Sequence, residues 1–555
     1  HAMPGGTDMT LRPFLWRSQR MYPDTEIVSR TAAGIERYGY ADYGDRVAQL
    51  ANALTSIGVG EGDRVATFCW NHHRHFETYF GVPNIGSQLH TINPLLPDRH
   101  IDFIVDNADD KVLFVDPSML DKLESAEASG DGFESVEQYV LMGEAVPDSS
   151  LDPLVDYESF IADHGTDFDW PALDEDQSAG MCYTSGTTGK PKGVEYTHQM
   201  LWAHTMATLT PQGIPVRDDD VVMPVVPMFH VNAWGLPFTT TAAGAKHVYP
   251  GPAPDPADIA GLLEDEGVTV TAGVPTVFLG LFEYMEDHDV DLSALDRVIV
   301  GGSAAPEAMI RRFDDLDVTL MHAWGMTEMS PIGSVAHLTA DLRDADYESQ
   351  IEKRSKQGLM VPGLEFKVVD DDGEEIEWNG EDFGELWVKG PWVTKEYFKR
   401  PEANQTDFED GYLKTGDVVT VDEDGYIKIV DRAKDVIKSG GEWISSVELE
   451  NLIMAHDDVT EATVIGVPHE RWQERPLAFV VPRKDAPDKE ALKDEVLELI
   501  QAEYPKWWVP DDVLFIDEVP KTATGKFDKK VLRDEYSDES LVEGQVPEEA
   551  APDDD

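Results

Sequence analysis

One short stretch of the sequence combines the residue types that bind a polyphosphate. Residues 183–198 read Tyr-Thr-Ser-Gly-Thr-Thr-Gly-Lys-Pro-Lys-Gly-Val-Glu-Tyr-Thr-His, after a short apolar run and before a helical pattern that starts near Thr197. This order predicts a strand, a glycine-rich loop and a helix. Glycines let the backbone approach a ligand closely, while hydroxyl, N–H and ammonium groups suit phosphate oxygens. The alternative is a plain surface loop. The candidate ligand-binding residues are Thr184, Ser185, Gly186, Thr187, Thr188, Gly189, Lys190 and Lys192.

The stretch differs from the phosphate loop of ordinary P-loop NTPases. That loop has four residues between its first glycine and Gly-Lys, and a Ser or Thr follows the lysine. Here only Thr187 and Thr188 separate Gly186 from Gly189-Lys190, and Pro191 comes next. The sequence therefore excludes a Walker-type site.

Three later motifs offer groups that suit the rest of a nucleotide. The segment 301–306 (Gly-Gly-Ser-Ala-Ala-Pro) is predicted to end a strand and begin a helix, which lets backbone approach a base or ribose. The segment 322–328 (His-Ala-Trp-Gly-Met-Thr-Glu), also predicted to follow a strand, offers an aromatic ring, a hydroxyl and a carboxylate for ATP with a hard cation. The alternative interpretation of Trp324 is an aromatic side chain that only packs in the core. Asp417, predicted to follow a turn in 412–417, offers a carboxylate for ribose hydroxyls.

An alternating pattern of strands and helices must position these motifs. Residues 221–226 form a continuous apolar run typical of a buried strand, and Asp255-Pro256 marks a helix start. The pattern predicts an α/β fold with a mostly parallel sheet, whose ligands collect at the carboxyl ends of the strands. Residues 130–175 are acidic and pattern-poor, and we expect a loop there.

After Gly363 the alternation of predicted strands and helices ends. Short β-rich pieces are followed by a charged connector and then by a small α+β pattern whose first helix is capped by Ser445 with Glu448. We predict a large N-terminal domain that includes the β-rich part (1–430), a hinge linker (431–436), a small C-terminal domain (437–536) and a disordered acidic tail (537–555).

The charge of the chain is extreme. It has 108 acidic and 44 basic residues, a net charge of −64, which argues against nucleic acid or anionic membranes as partners. The acidic residues are spread along the whole chain, a pattern that resembles proteins of extreme halophiles. Because the Debye length falls to about 3 Å in 1 M salt, we expect high salt to stabilise the fold.

Cysteines and histidines give no sign of a disulfide framework or a metal cluster. Only two cysteines are present, Cys69 and Cys182, both in apolar runs, which predicts buried thiols and a reducing cytosol. No signal peptide or transmembrane run is apparent, so we expect a cytoplasmic protein without integral membrane association. His72, His73, His75 and His90 have no Cys or carboxylate at useful spacing, and we expect them at the surface or near a substrate.

The motifs, in this order, closely resemble the adenylate-forming superfamily of acyl-CoA synthetases, luciferases and peptide-synthetase adenylation domains. The resemblance extends from about residue 35 to 535. It implies ATP, magnesium and coenzyme A as ligands, a mobile C-terminal domain and a homodimer. Two departures stand out: the usual Gly-Tyr-Gly is Ala323-Trp324-Gly325, and Leu95-Leu96 stand where an arginine is common.

The resemblance assigns roles to individual residues. Thr184 and Glu328 would hold magnesium, Lys526 would be the mobile catalytic lysine, and Lys434 would lie at the hinge. Trp324 would pack on adenine, Thr327 would contact phosphate, and Asp417 with Arg432 would bind ribose. Other expected ATP or AMP contacts are Val231, Trp234, Gly302, Ser303, Ala304, His322, Ala323, Gly325, Met326, Lys434, Lys438 and Trp443. Expected CoA contacts are Lys438, Ser439, Gly440 and Gly441.

The apolar segment 226–237 (Val-Pro-Met-Phe-His-Val-Asn-Ala-Trp-Gly-Leu-Pro) suits the wall of an acyl pocket, or equally the start of a core helix. The sequence of this segment resembles that of the medium- and long-chain fatty-acyl-CoA synthetases. In those enzymes the tryptophan of the segment, here Trp234, gates the acyl tunnel. Expected acyl contacts are His230, Val231, Trp234, Gly235 and Gly301. Relatives in this branch also take methylthioalkanoates or aryl acids, so the chain length of the acid stays open.

The resemblance thus implies an ATP-dependent fatty acid–CoA ligase that works through an acyl-AMP. A ligase for a short, aryl or methylthio-alkanoic acid is the alternative. A luciferase-like oxygenase and a peptide-synthetase module are less favoured, the latter because no carrier domain follows residue 536. A non-catalytic nucleotide-binding regulator would be expected to lack Lys526 or Glu328, and both are present.

Overall fold

The computed structural model describes residues 8–130, 132–184, 190–370, 373–432, 435–439, 442–469, 472–483, 489–521 and 527–536. The side chains of Lys438, Glu442, Trp443 and Gln473 are outside this description. The predicted disordered tail, 537–555, also lies outside the described residues. The chain divides into two compact units, residues 1–366 with 388–413 and residues 367–387 with 414–555.

Helices and strands alternate along the first 208 residues. They are α1 (Arg12–Met21), β1 (Glu26–Thr31), β2 (Gly34–Gly39), α2 (Tyr40–Ser56), β3 (Arg64–Phe68), α3 (His73–Gly81), β4 (Gln88–Thr91), α4 (Asp98–Ala108), β5 (Asp110–Val115), α5 (Leu120–Ala128), β6 (Gln138–Leu141), β7 (Leu154–Asp156), α6 (Tyr157–Ala162), β8 (Ser178–Tyr183), β9 (Gly193–Thr197) and α7 (His198–Thr208).

The alternation continues to residue 360. The elements are β10 (Val221–Pro224), the single turn α8 (Val231–Trp234), α9 (Leu236–Ala243), β11 (Lys246–Tyr249), α10 (Pro256–Asp265), β12 (Val270–Gly273), α11 (Pro275–Asp287), β13 (Arg297–Val300), α12 (Glu307–Asp314), β14 (Thr319–Gly325), β15 (Ile332–Val335), α13 (Tyr347–Ser355) and β16 (Leu359–Met360).

Strands predominate in the remainder. The elements are β17 (Glu365–Val369), β18 (Phe383–Lys389), α14 (Pro401–Thr406), β19 (Phe408–Glu409), β20 (Tyr412–Val421), β21 (Ile427–Arg432), β22 (Ile437–Ser439), β23 (Glu442–Ile444), α15 (Ser446–Met454), β24 (Val459–His469), β25 (Gln473–Pro482), α16 (Lys489–Glu503), β26 (Asp512–Phe515) and α17 (Lys529–Tyr536).

Two mostly parallel sheets dominate the first unit, which confirms the predicted α/β class. One has seven strands in the order β7-β6-β5-β3-β4-β8-β9, and only the β8–β9 pair is antiparallel. The other has nine strands in the order β16-β15-β14-β13-β12-β10-β11-β1-β2, parallel from β14 to β1. Their central strands are buried apolar runs, as in β13, because helices cover both faces of a parallel sheet.

The second unit contains smaller, mainly antiparallel sheets. Strand β20 pairs with β21, and β24 pairs with β25 over nearly their whole lengths. The predicted boundary at residue 430 falls inside this unit. Within the unit, hydrogen bonds join β21 to α15: the Ser446 N–H donates to Asp431 Oδ2 at 2.8 Å, and the Ser445 hydroxyl donates to the Val430 carbonyl at 2.5 Å. The hinge at 431–436 stays a prediction.

The predicted helix caps are confirmed. The Asp255 carboxylate accepts from the Asp258 N–H in a reciprocal capping box with Pro256 at the first helical position, and Ser445 caps α15 by accepting from the Glu448 N–H. No described helix is long and apolar enough to cross a membrane.

Two sequence expectations about local structure are wrong. Residues 130–175 contain β6, β7 and α6. Tyr139, Val140 and Leu141 of β6 are buried, so this strand forms although the surrounding sequence is acidic. The predicted order of strand, loop and helix omits a strand, because the glycine-rich stretch joins β8 to the antiparallel strand β9. The predicted helix start near Thr197 is confirmed, since α7 begins at His198 with Thr197 as its cap.

Candidate active site

The predicted nucleotide-binding motifs of the nine-stranded sheet lie at the carboxyl ends of its parallel strands. Strands β10, β12, β13 and β14 are parallel neighbours, so their carboxyl ends meet at the same side of the sheet. Segments 226–237, 301–306 and 326–328 follow β10, β13 and β14. Contrary to expectation, residues 322–325 do not follow the strand but form the last part of β14.

The base of the glycine-rich loop is closed by a pair of hydrogen bonds. The Thr184 N–H donates to the Lys192 carbonyl at 2.9 Å, and the Lys192 N–H donates to the Thr184 hydroxyl at 3.1 Å. These bonds extend the β8–β9 pairing by one step and place both ends of the loop side by side. Ser185, Gly186, Thr187, Thr188 and Gly189 lie outside the described residues, so their predicted phosphate contacts stay predictions.

The two lysines of this loop contact protein groups. The Lys190 ammonium is 4.8 Å from the centre of the Phe103 ring. The Lys192 ammonium lies 2.8 Å from Asp407 Oδ2 and 4.2 Å from the centre of the Tyr397 ring. The charge of Lys192 is therefore partnered inside the first unit, and this arrangement competes with the predicted phosphate contact.

Glu328 is a buried carboxylate on a firmly held loop. Its side chain accepts the Tyr397 hydroxyl at 2.9 Å, and its carbonyl accepts the Thr394 N–H at 2.8 Å. The preceding Thr327 carbonyl accepts the Tyr196 hydroxyl, on β9, at 2.7 Å. This bond links the loop after β14 to the strand that follows the glycine-rich loop. Burial, and secondly the Glu328 charge, raise the pKa of Tyr397 far above its ordinary value, so the phenol stays a donor.

The turn after β13 is braced by His322. The Ala305 N–H donates to His322 Nε2 at 3.3 Å, and the other ring nitrogen, Nδ1, lies 3.1 Å from the Ser355 carbonyl. Burial lowers the pKa of His322 to about 4, so the ring is neutral and Nδ1 carries the proton. Gly302 and Ser303 are exposed beside this brace. The His322 ring therefore holds backbone that could reach a ligand, and its own predicted ATP contact stays a prediction.

Two glycines let this turn and Trp324 pack closely. A Cβ added at Gly301 would lie 2.9 Å from the Ala323 carbonyl and 3.2 Å from the Trp234 ring, so only glycine fits. A Cβ at Gly333 would lie 2.4 Å from the Trp324 ring. Trp324 is thus a buried aromatic beside Gly333, and its stacking on adenine stays a prediction.

The predicted acyl segment contains a left-handed turn. Val231, Asn232, Ala233 and Trp234 have φ values of 38°, 58°, 47° and 57°, and Gly235 follows at 77°. L-residues avoid this region, at a cost of roughly 1–2 kcal/mol each. The segment is therefore not an ordinary helix start, and its place in the wall of an acyl pocket stays a prediction. Val231 is buried, whereas Trp234 is partly exposed.

Asn71 and Tyr79, which sequence reasoning missed, hold the approach to this turn. The Asn71 amide donates to the carbonyls of Pro224 and Val226, both at 2.9 Å, and accepts the Met228 N–H at 2.6 Å. The Tyr79 hydroxyl donates to the Met228 carbonyl at 2.7 Å. The sequence signal that could have indicated Asn71 is a polar side chain directly after the apolar run that contains β3.

The four histidines of the N-terminal region are buried, so the surface expectation is wrong. His72 Nε2 lies 2.6 Å from Asp116 Oδ1, and His90 Nδ1 lies 2.8 Å from Asp110 Oδ2. The carboxylates are 44 and 20 residues away, too far for sequence spacing to show. His90 also packs at 5.2 Å from the Tyr183 ring, next to the glycine-rich loop. Cys69 and Cys182 are buried free thiols, as predicted.

The second unit holds the predicted ribose and CoA residues. Asp417 and Arg432 face each other across β20 and β21, with Arg432 Nε 2.7 Å from Asp417 Oδ1. Asp417 lies within β20 rather than directly after a turn. The Ser439 hydroxyl accepts from Arg475 Nη1 at 3.3 Å. Lys434, Gly440, Gly441 and Lys526, with the side chains of Lys438 and Trp443, lie outside the described residues.

Comparison with known proteins identifies relatives along nearly the whole chain. The family model "AMP-binding enzyme" matches residues 15–398, and "AMP-binding enzyme C-terminal domain" matches 448–526. A long-chain-fatty-acid–CoA ligase of Thermus thermophilus is 43% identical over 531 residues, covering 95% of this chain and 96% of the relative. A 3-methylmercaptopropionyl-CoA ligase of Ruegeria lacuscaerulensis is 42% identical over 523 residues, covering 94% and 96%.

Solved structures have the same fold. The ATP-bound MatB of Rhodopseudomonas palustris aligns with a TM-score of 0.81 at 27% identity, covering 96% of this chain and 99% of that one. An anthranilate CoA ligase in complex with anthranoyl-AMP aligns with a TM-score of 0.85 at 23% identity, covering 95% and 97%. The mixed α/β architecture predicted from the sequence is therefore shared with these enzymes.

Proposed function

The chain belongs to the AMP-binding enzyme family, and from this premise we propose that it is an ATP-dependent fatty acid–CoA ligase. In the first step the acid's carboxylate attacks the α-phosphorus of ATP, which gives acyl-AMP and releases pyrophosphate. In the second step the thiol of CoA attacks the acyl carbon, which gives acyl-CoA and releases AMP. The observation that carries the proposal is the 43% identity with a long-chain-fatty-acid–CoA ligase over 95% of the chain.

The first unit supplies the groups for ATP. We assign the loop closed by Thr184 and Lys192 to the phosphates, the Gly302–Ala304 turn to the nucleoside, and Trp324 to the adenine. Glu328 and Thr184 offer carboxylate and hydroxyl oxygens, the donors that magnesium prefers, and the bond from a neutral phenol leaves the charge of Glu328 intact. Magnesium bound there would offset negative charge on the phosphates during transfer.

The second unit supplies the remaining proposed contacts. We assign the paired Asp417 and Arg432 to the ribose, because this pair presents a buried carboxylate from the middle of a strand. The catalytic lysine Lys526, the hinge lysine Lys434 and the CoA contacts of Lys438, Ser439, Gly440 and Gly441 are assigned from the family resemblance. Lys526 would offset the repulsion between the attacking carboxylate and the α-phosphate.

We assign the acid to the region beside Trp234. Gly301 lets the Trp234 ring approach the end of β13, and the residues that precede the ring are buried and mostly apolar. A second candidate substrate is a methylthio-alkanoic acid, because the 3-methylmercaptopropionyl-CoA ligase is nearly as similar, at 42% identity. The two candidates differ in the length of the tail that must pass Trp234.

The test is acid-dependent release of AMP with ATP, magnesium and CoA in molar KCl. The acids are a straight-chain series from acetate to palmitate, with cinnamate and methylthiopropionate. We expect the highest kcat/KM at medium or long chains. A maximum at methylthiopropionate or another short acid would assign the alternative substrate, and no acid-dependent AMP with any acid would contradict the ligase proposal.

Three further properties belong to this proposal. The net charge of −64 supports a halophilic enzyme that works in molar salt. The free, buried thiols of Cys69 and Cys182 support a reducing compartment such as the cytoplasm. The family resemblance supports a homodimer, which light scattering of the protein in molar KCl would test.

A further inference from the structure

Tyr397, which lies outside the sequence motifs described above, makes a buried contact with Glu328. It lies on the connection between β18 and α14, and its side chain is almost completely buried. Its hydroxyl donates to Glu328 Oε1 at 2.9 Å across 69 residues of sequence. A hydrogen bond between two buried side chains fixes the carboxylate's orientation, because neither partner has water as a substitute.

Every part of Tyr397 is held by a neighbour in the first unit. Its N–H donates to Asn404 Oδ1 at 2.7 Å, and the Asn404 amide donates back to the Tyr397 carbonyl at 3.1 Å. The Phe408 ring packs edge-on at 5.5 Å, and the Lys192 ammonium lies 4.2 Å from the ring centre. Asp407, whose carboxylate is 2.8 Å from that ammonium, keeps Lys192 in place.

A neutral hydroxyl is a suitable partner for a carboxylate that must bind a cation. An arginine or lysine in the same place would neutralise Glu328 and compete with the cation for its charge. A phenol instead fixes one oxygen and leaves the negative charge available. Groups that orient metal ligands in this way commonly change metal affinity 10- to 100-fold when they are removed.

We propose that Tyr397 is a positioning residue that orients Glu328 toward the divalent cation bound with ATP, and that the Lys192–Asp407 pair holds the Tyr397 ring for this task. With Oε1 bound to the phenol, Oε2 is the oxygen assigned to the cation. The inference rests on the proposed function, which assigns the cation to Glu328. It also gives Lys192, within the glycine-rich loop, a role in supporting the ring of Tyr397.

The experiment uses Mn²⁺ as the probe, so that binding is measured by electron paramagnetic resonance without turnover. The full-length enzyme, with a non-hydrolysable ATP analogue, is compared with Tyr397→Phe, Asp407→Asn and Glu328→Gln. Tyr139→Phe is the matched control, because the Tyr139 hydroxyl also donates to a glutamate, Glu127, at 2.8 Å. Thermal unfolding of each variant reports whether it folds.

We expect Tyr397→Phe to raise the Mn²⁺ dissociation constant at least tenfold, and Glu328→Gln to raise it further. Asp407→Asn, which releases Lys192, should raise it less than Tyr397→Phe does, because Asp407 acts on Glu328 only through the Tyr397 ring. Tyr139→Phe should leave Mn²⁺ binding unchanged. The Mg²⁺ concentration for half-maximal AMP release should shift in the same order, which a merely structural tyrosine would not produce.

Wild-type Mn²⁺ affinity in a folded Tyr397→Phe protein would overturn the inference. If that variant fails to fold, Asp407→Asn provides the test. Unchanged Mn²⁺ binding in Asp407→Asn would overturn the proposal that Lys192 and Asp407 hold the Tyr397 ring. Unchanged binding in Glu328→Gln would overturn the cation assignment, and the inference with it, while acid-dependent AMP release would still support the ligase. Absent AMP release with intact Mn²⁺ effects would contradict only the proposed reaction.

Discussion

At the scale of single residues, His204 joins two parts of the candidate site. It lies on α7, and its Nε2 accepts the Ile332 N–H at 3.1 Å, just after the loop that carries Glu328. A Cβ at Gly235 would lie 2.6 Å from its ring, so the same histidine packs against the end of the left-handed turn. Burial lowers the pKa of His204 to about 3, so the ring is neutral at ordinary pH.

This burial predicts a loss of stability in acid. The unfolded chain binds a proton at His204 near pH 6.5, whereas the folded chain does so only near pH 3. Between these values the unfolded state holds more protons, so the free energy of unfolding falls as the pH falls. His204→Gln, which keeps an acceptor for Ile332, should reduce that slope by up to about 1.4 kcal/mol per pH unit.

The measurement is denaturant unfolding at several pH values from 6.5 to 4, in constant molar KCl. His288→Gln removes an exposed imidazole and serves as the control. Parallel stability curves for wild type and His204→Gln would contradict the prediction. His75 and His247, whose pKa values burial also lowers to about 3, should keep part of the slope in the variant.

At the scale of elements, the left-handed turn from Val231 to Trp234 is the most strained segment described near the site. Four consecutive L-residues have positive φ, and one of them, Val231, is β-branched. Such strain persists only where the surroundings over-determine the backbone, and here the Asn71 and Tyr79 bonds lie before the turn while His204 lies after it. The turn presents Trp234 at the end of β13, beside Gly301.

Gly235 should be intolerant of a side chain for two separable reasons. Its φ of 77° is unfavourable for alanine, and a Cβ would collide with the buried His204 ring. Gly267 has a similar φ of 61°, but the nearest atom to an added Cβ is 4.0 Å away. Gly235→Ala should therefore lower the melting temperature clearly more than Gly267→Ala, which carries only the backbone cost of about 1–2 kcal/mol.

Scanning calorimetry of the two variants in molar KCl would measure the difference. Gly235→Ala should also lower kcat/KM for the acid, because the displaced His204 ring disturbs the turn that carries Trp234. Equal melting temperatures for the two variants would show that His204 yields to the new Cβ without cost.

At the scale of the whole molecule, the main feature is the large net negative charge. The chain carries 64 more acidic than basic residues, and its described cations are largely paired with carboxylates, as in Arg46 with Glu77 and Glu158. The unpaired excess of negative charge must repel itself in the folded state. Salt lowers this repulsion by shortening the Debye length from about 10 Å at 0.1 M to about 3 Å at 1 M.

We therefore expect the melting temperature to rise steeply between 0.1 and 1 M KCl and more gently above 1 M. A rise that continues evenly to 3 M would assign the effect to exclusion of salt from the surface instead of charge screening. The comparison is made with KCl and with sucrose, which does not screen charge. An unchanged melting temperature from dilute buffer to 3 M KCl would contradict the proposed halophilic character.

The sequence alone determined the local features of this protein: the glycine-rich loop, the parallel α/β pattern and the caps of α10 and α15. Each depends on residues within a few positions of one another, where composition and periodicity act directly on the backbone. Only the tertiary structure decided that β9 follows the loop, that His72 faces Asp116, and that Tyr397 binds Glu328. Those partners are brought together by the order of the strands in the sheets and by packing over long separations. No local spacing encodes that order.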